Sequence, residues 1–220
     1  MMKFEDRKQA GMLLAEKLIK YKGKDAIVLA LPRGGVVTAA EIAKHLNAQF
    51  DLVITRKIGH PYNPEYAIGA ITDNGTIIGV KDELEMVDKG WLKSEIKKER
   101  AEALRRKKLY LRGRKEIALH GKTVILVDDG IATGLTMRAA VSEVRKQSPA
   151  KIIVAVPVIP QESALVLKQE ADEVVALNTV KEGKFLGAIG SYYDEFLQVS
   201  DQEVIDILKN FKRKEGYDLS

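Results

Sequence analysis

The amino-acid sequence predicts an α/β fold built on a parallel sheet. Two observations carry this prediction. Apolar runs such as Ala26-Ile27-Val28-Leu29-Ala30-Leu31 and Thr123-Val124-Ile125-Leu126-Val127-Asp128 lack the polar alternation of a half-exposed strand and read as buried strands. Stretches of helical periodicity follow most of them, and strands alternating with helices indicate parallel connections.

The elements follow in order. Asp6 can cap a helix running to about Tyr21, with Ala10, Leu13, Leu14 and Ile19 in its apolar stripe. The strand Ala26 to Leu31 is stopped by Pro32 and Gly34-Gly35, and a helix follows from about Val36 to Leu46. Asp51 to Thr55 is the next strand. Arg56 to Tyr66 holds two prolines and a glycine and is expected to be irregular. Short strands at Ala67 to Thr72 and Thr76 to Val80 flank the turn signal Asp73-Asn74-Gly75. Trp91 to Leu111 reads as a long charged helix.

After the strand at Thr123 come a glycine-containing turn and a helix from Thr136 to about Lys146. A strand at Lys151 to Pro157, a helix near Glu162 to Gln169 and a strand at Glu173 to Leu177 complete the alternation. Ser200-Asp201-Gln202-Glu203 is a capping box opening the last helix, Val204 to Phe211. In such a sheet ligands bind beyond the carboxyl ends of the strands, where the loops after Leu31, Thr55, Asp128 and Val156 converge.

Composition narrows the function classes. A chain of 220 residues is expected to form one compact domain, 1–220, and no repeat or linker divides it. The absence of cysteine excludes disulfides and thiolate metal sites. No apolar run approaches bilayer length and the N-terminus lacks a signal peptide, so a cytoplasmic protein without membrane contact is expected. Net charge is +5, and basic residues dominate from Lys89 to Lys115. Two readings of that stretch stand: a solvated helix face, or a surface for nucleic acid. His45 and His120 are expected at the surface.

The segment Val124 to Met137 has a definite physical logic. A buried strand delivers two adjacent carboxylates, Asp128 and Asp129, to the sheet edge. A turn containing Gly130 and Gly134 lets backbone N–H groups point inward, and Thr133 and Thr136 add hydroxyl donors. The helix starting there presents its unpaired N–H groups and dipole to an anion. Carboxylates beside an anion cradle would repel a bare phosphate, so the ligand should also offer hydroxyls and a Mg²⁺ ion.

This run resembles the 5-phosphoribosyl-1-pyrophosphate (PRPP) motif of type I phosphoribosyltransferases. The resemblance implies a Rossmann-like parallel core, about 24–177, with a small hood from the N-terminus, about 80–120, and about 178–220. It implies that Asp128 and Asp129 bind the ribose hydroxyls with Mg²⁺ nearby. It also implies that Gly130, Ile131, Ala132, Thr133, Gly134, Leu135 and Thr136 form the PRPP loop holding the 5′-phosphate. Leu31-Pro32-Arg33-Gly34-Gly35 resembles the family's pyrophosphate loop, although taken alone it also reads as a plain strand-to-helix turn. Arg56 and Lys57 stand where the family places cations for pyrophosphate, and the residues beyond resemble its mobile catalytic loop. His60 lies in that loop, within reach of pyrophosphate or as a bystander. Taken together, Leu-Pro-Arg-Gly-Gly-Val, Arg-Lys-Ile-Gly-x-Pro and Asn-Pro-Glu resemble a stand-alone microbial phosphoribosyltransferase-domain family of unassigned substrate.

Two features bear on the acceptor and disagree. Ala132 and the Arg56 to Tyr66 loop resemble adenine-type enzymes, which makes Glu65 a candidate proton-transfer group; the same residue also reads as a surface Glu beside Pro64. Lys184 to Asp194 resembles the late segment of 6-oxopurine enzymes, where Phe185 would stack on the base and Asp194 would lie near the metal. Phe185 equally reads as core.

The implied reaction is attack by an acceptor nitrogen on C1 of PRPP with departure of pyrophosphate, for which Arg33, Arg56, Lys57 and Mg²⁺ suit the leaving-group charge. A small-molecule acceptor and a homodimer are implied, with purine salvage as the setting. The rival reading is a non-catalytic PRPP or nucleotide sensor that uses its basic stretch on RNA or DNA; nucleic acid is not the expected partner. A relative of PRPP synthase is a third reading; it needs an ATP site, and no Walker-type run is present, though that enzyme class does not require one.

Overall fold

A computed structural model describes residues 3–214. In chain order the elements are α1 (Arg7–Lys17), β1 (Ala26–Ala30), α2 (Gly35–Leu46), β2 (Gln49–Leu52), β3 (Thr55–His60), β4 (Asn63–Thr72), β5 (Ile77–Gly79), α3 (Lys81–Met86), α4 (Lys89–Tyr110), β6 (Thr123–Val127), α5 (Leu135–Arg145), β7 (Lys151–Pro160), α6 (Gln161–Glu170), β8 (Glu173–Val180) and α7 (Asp201–Lys214). Five strands form a parallel sheet in the order β2-β1-β6-β7-β8. β1 and β6 lie side by side, with Ala30 opposite Val127, so the loops that follow them leave the same sheet edge as neighbours. The apolar runs are strands because both sheet faces are covered: every residue of β1 is buried, and Val124 to Val127 have no exposed surface.

One face packs against α1, α2 and α7 through residues such as Leu14, Ile42 and Leu208, and the other against α5 and α6 through Met137, Val141 and Leu167. The capping box forms as expected: Ser200 N–H donates to Glu203 Oε2 (2.7 Å) and Glu203 N–H to Ser200 Oγ (3.2 Å).

Several expectations are corrected. The strand expected at Asp51 to Thr55 is Gln49–Leu52, and Thr55 instead opens a strand of another sheet; the first helix, expected to about Tyr21, ends at Lys17. Arg56 to Tyr66 is largely regular, because β3 and β4 pair antiparallel in a second, three-stranded sheet, β3-β4-β5. The prolines are accommodated by irregularity in the ladder. Pro61 sits in the hairpin turn, and Pro64 falls where the register slips between the pairs Gly59–Ala67 and His60–Asn63, so neither has to donate to the ladder. The strand predicted to end at Pro157 runs on to Pro160. β6 stops opposite Ala155, so β7 has no β6 partner at Pro157 and the missing N–H breaks nothing on that side.

The second sheet is clamped between α5 and α4. Ala67 and Ala70 pack on Leu135 and Ala139 of α5, while Ile58, Ile68 and Ile71 pack toward Trp91, Leu92 and Ile96 of α4. Phe4, Val158, Val180, Tyr192 and Tyr193 form a separate cluster in which the N-terminus meets the segment after β8.

Candidate functional site

The site is built around Asp128 and Asp129 at the carboxyl end of β6. The loop after β1 passes directly over them. A Cβ on Gly34 would sit 1.8 Å from Asp129 Oδ2, and one on Gly35 would sit 2.8 Å from Asp128 Cα. Only glycine permits that approach, so the Gly34-Gly35 pair is there for contact with the acids and not merely for turning. The peptide bond between Pro32 and Arg33 is cis.

Beyond the acids, the turn is anchored at two points. Ile131 N–H donates to Val158 O (2.9 Å), and Ser163 Oγ donates to Ala132 O (2.8 Å). Gly134, at φ 79°, caps α5 in a left-handed conformation that an L side chain resists. Five successive N–H groups, from Ala132 to Thr136, donate to no acceptor among the described residues. Ala132 and Thr133 are exposed and Thr136 is half-buried. This is the donor array of an anion nest at a helix start.

The electrostatics of the acids are uneven. Burial pushes the Asp128 carboxyl well above the usual range and the charge of Asp129 adds to this; the Asp129 N–H, at 2.8 Å from Asp128 Oδ1, works against it. Asp129 has a cation of its own. Arg7 Nε donates to Asp129 Oδ2 at 2.7 Å, Arg7 Nη1 donates to Leu197 O at 2.7 Å, and the guanidinium lies 3.7 Å from the centroid of the Phe196 ring. Tyr193 completes the cage, its hydroxyl donating to Asp129 O (2.6 Å), while burial and then the Asp129 charge drive its pKa upward.

Arg7 and Tyr193 received no role from the sequence. A signal for Arg7 existed: it and Lys8 occupy the first turn of α1, which has no acidic residue and where the helix dipole disfavours cations.

The remaining candidates are dispersed. Arg33 Nη1 lies 3.4 Å from Asp201 Oδ1 at the start of α7. Arg56 and Lys57 point to opposite sides of the hairpin. Arg56 Nε donates to Glu99 Oε2 of α4 (2.7 Å). Lys57, paired across the ladder with Ala70, lies on the side facing α5, and its ammonium donates to Glu65 Oε2 (2.8 Å). The hydrogen bond and charge of Lys57 hold the Glu65 carboxyl below its usual range, which weakens it as a proton acceptor and leaves it poorly suited to deliver a proton in this conformation. His60 lies near Tyr62 and Tyr66 at the hairpin tip. Phe185 stacks on Tyr192, centroids 5.7 Å apart, in the cluster beside the N-terminus, and Asp194 is ion-paired with Lys3. His45 and His120 are exposed, as expected.

Part of the basic stretch is engaged internally. Arg105 and Arg106 bind Glu102, Arg105 also binds Asp201, Lys98 binds Glu95, and Lys107 binds Asp73. No helix among the described residues is long and apolar enough to cross a membrane, and no group of three or more His, Cys, Asp or Glu side chains there could hold a metal.

Fold and site together define a parallel α/β domain with paired carboxylates and a turn of free amides at the end of a central strand. The chain belongs to the phosphoribosyl transferase domain family, whose profile matches residues 3–188. Two Mycobacterium tuberculosis proteins, from strains CDC 1551 / Oshkosh and H37Rv, are provisionally named phosphoribosyl transferases. Each is 39% identical over 212 residues, covering 96% of this chain and 47% of theirs. The chain therefore spans about half the length of the curated relatives it matches. A Thermus thermophilus crystal structure is 42% identical with a TM-score of 0.78, covering 95% of this chain and 99% of that one. An Aquifex aeolicus protein at 14% identity and a TM-score of 0.50, covering 81% and 76%, shares the fold.

Proposed function

We propose that this protein is a PRPP-dependent phosphoribosyltransferase acting on a nitrogen acceptor, with a purine base as the first candidate. The observation that supports this best is the juxtaposition of Asp128 and Asp129 with the five free N–H groups from Ala132 to Thr136, under the Gly34-Gly35 loop. The carboxylates suit ribose hydroxyls, and the N–H array suits the 5′-phosphate. Gly34 and Gly35 bring backbone close enough to carry the pyrophosphate side.

A Mg²⁺ ion fits this donor set. Two hard oxygen donors without a third acidic side chain match an ion held partly by substrate oxygens and water, and burial of Asp128 disfavours its charge unless a cation is near. When bound, Mg²⁺ would neutralise charge on the departing pyrophosphate. Asp128 and Asp129 would hold it.

The chain's own residues orient the ribose and fix the phosphate. Arg33, next to the Gly34-Gly35 loop, and Lys57, on the α5 side of the hairpin and once released from Glu65, are the candidate cations for the leaving group. Arg56, held by Glu99 on the far side, acts as a strut in this conformation. Phe185, beside the N-terminal cluster, is the candidate base platform.

The test is pyrophosphate release from Mg-PRPP across a panel of purine and pyrimidine bases, with Asp128→Asn/Asp129→Asn as control. Release stimulated by one base and lost in the control is expected. PRPP binding that survives the double substitution would sink the site assignment.

A further inference from the structure

A second cavity, of about 410 Å³, opens away from the PRPP loop, between the base of the hairpin, the last turn of α5 and residues 111–119. Its walls include Glu143 and Val144, about 14 Å along α5 from the Gly134 cap at 1.5 Å per residue. It exists because one sheet face is covered unevenly. α5 and α6 seal β6 and β7, whereas over β1 and β2 the cover is the irregular segment that packs through Ile117 and Leu119. Leu29 and Val53 consequently keep 5% and 8% of their surface exposed, while Val124 and Leu126 on the next strand keep none. These residues give the cavity an apolar floor.

The rim is charged. The acids Asp51, Asp73 and Glu143 are engaged by Arg114 (3.5 Å), Lys107 (2.6 Å) and Asn74 (2.8 Å) respectively. Lys108, Arg112 and Lys115 are exposed and make no ion pair among the described residues, and Glu116 is the one acid set against them. A basic residue in the last turn of α4 complements its dipole, which accounts for Lys108. Arg112 and Lys115 lie beyond the helix, and the dipole does not explain them. The half-buried Gln147 side chain, in one wall, makes no hydrogen bond among the described residues and offers both a donor and an acceptor.

An apolar floor, an amide at the wall and three cations at the rim suit a ligand with a flat body, a polar edge and one concentrated anionic group. The volume is in the range of small-molecule sites. We propose that this cavity binds a nucleoside monophosphate, base on the Leu29–Val53–Leu119 floor and phosphate on Lys108, Arg112 and Lys115. Its meaning as product sensing rests on the function proposed above, whose product is such a nucleotide. The route to the first site is short. Glu143, in the last turn of α5, accepts hydrogen bonds from Asn74 and Thr72 at the end of the hairpin that carries Lys57, so the occupant touches both the helix behind the PRPP loop and the base of that hairpin.

Calorimetric titration with AMP, GMP and UMP tests this, using Lys108→Gln/Arg112→Gln/Lys115→Gln in both the wild-type and the Asp128→Asn/Asp129→Asn backgrounds. The substituted rim side chains are exposed, and an unchanged melting temperature confirms that the fold is intact. The expected result is that one nucleotide binds with a Kd below about 1 mM and that the rim substitution removes one site per chain in both backgrounds. An unchanged number of sites, no binding in that range, or equal competition by inorganic phosphate alone would overturn the proposal. PRPP binding retained by the Asp128→Asn/Asp129→Asn protein would instead sink the phosphoribosyl site, and the loss of one site on rim substitution would still be readable.

Discussion

Replacing Arg7 with Gln should destabilise this protein far more than a typical arginine substitution. The Arg7 side chain is 10% exposed and that of Asp129 15%, and the guanidinium makes two 2.7 Å hydrogen bonds while covering the Phe196 ring. Removing one partner of a buried pair costs about 3–5 kcal/mol, because the survivor is left uncompensated. Residual exposure lets water reach Asp129 and lowers the expectation to about 3 kcal/mol. For a chain of this length that corresponds to a fall of about 6–12 °C in Tm. Denaturant unfolding of Arg7→Gln, Asp129→Asn and the double variant isolates the pair, with an expected coupling energy of about 2 kcal/mol. Arg7→Lys should recover part of the loss, since it keeps the charge and loses the fork. A coupling energy within about 0.5 kcal/mol of zero would refute the reasoning, since the pair would then behave as a surface contact.

Gly34→Ala places a methyl group 1.8 Å from Asp129 Oδ2, so PRPP affinity measured by calorimetry should fall about tenfold or more, or about 1.4 kcal/mol. At Gly134 an added Cβ meets nothing closer than 3.7 Å, so Gly134→Ala should register only the backbone penalty of φ 79°, about 1–2 kcal/mol in unfolding free energy. Glu65→Gln frees Lys57 at a side chain that is 90% exposed; its unfolding free energy should shift by less than about 0.5 kcal/mol, and any loss of turnover then reports on catalysis. Burial opposes ionisation of Glu173, but hydrogen bonds from Lys151, Lys20 and Tyr21 outweigh it and hold the carboxyl at about 2; hydrogen bonds from Arg105 and Arg106 hold Glu102 at about 2 against its burial. Both lie below the ordinary 4.5, so the stability they supply is full at neutral pH and is lost as pH falls from about 4.5 toward 2; the gap in melting temperature between wild type and Glu173→Gln should close across that window.

The parallel sheet was legible because its determinants are local: apolar runs long enough for a strand, the central ones ended by Pro32, Asp128 and Pro157. The Asp128 to Thr136 turn was legible for the same reason, since strand, turn and helix start are contiguous. The hairpin was not, because its regularity depends on pairing. Pro61 and Pro64 forbid a continuous ladder, and only the partner strand reveals that the register slips there to absorb them. Arg33, Arg56 and Lys57 were legible as cations near the site, but which way each faces is decided by Asp201, Glu99 and Glu65, and two of those three partners lie on other helices.

The residues around Asp129 show why a local motif understates its own requirements. Two adjacent carboxylates at the end of a buried strand are unfavourable wherever they occur, and the burial that raises the Asp128 pKa is the measure of it. The turn relieves this only in part, through the Asp129 N–H on Asp128 Oδ1; the N–H groups from Ala132 to Thr136 donate to neither carboxylate. Further relief comes from 122 residues upstream, through the Arg7 ion pair with the Asp129 carboxylate, while Tyr193, 64 residues downstream, holds the Asp129 backbone carbonyl. Arg7 has to sit in the first turn of α1 to reach Asp129, where it works against the dipole of its own helix. That local conflict has no local explanation, and its resolution lies at Asp129. Lys8 shares that turn but is exposed and makes no ion pair among the described residues; what sets Arg7 apart is burial, which a cation at a helix start tolerates only with an acid to meet, and that acid is Asp129.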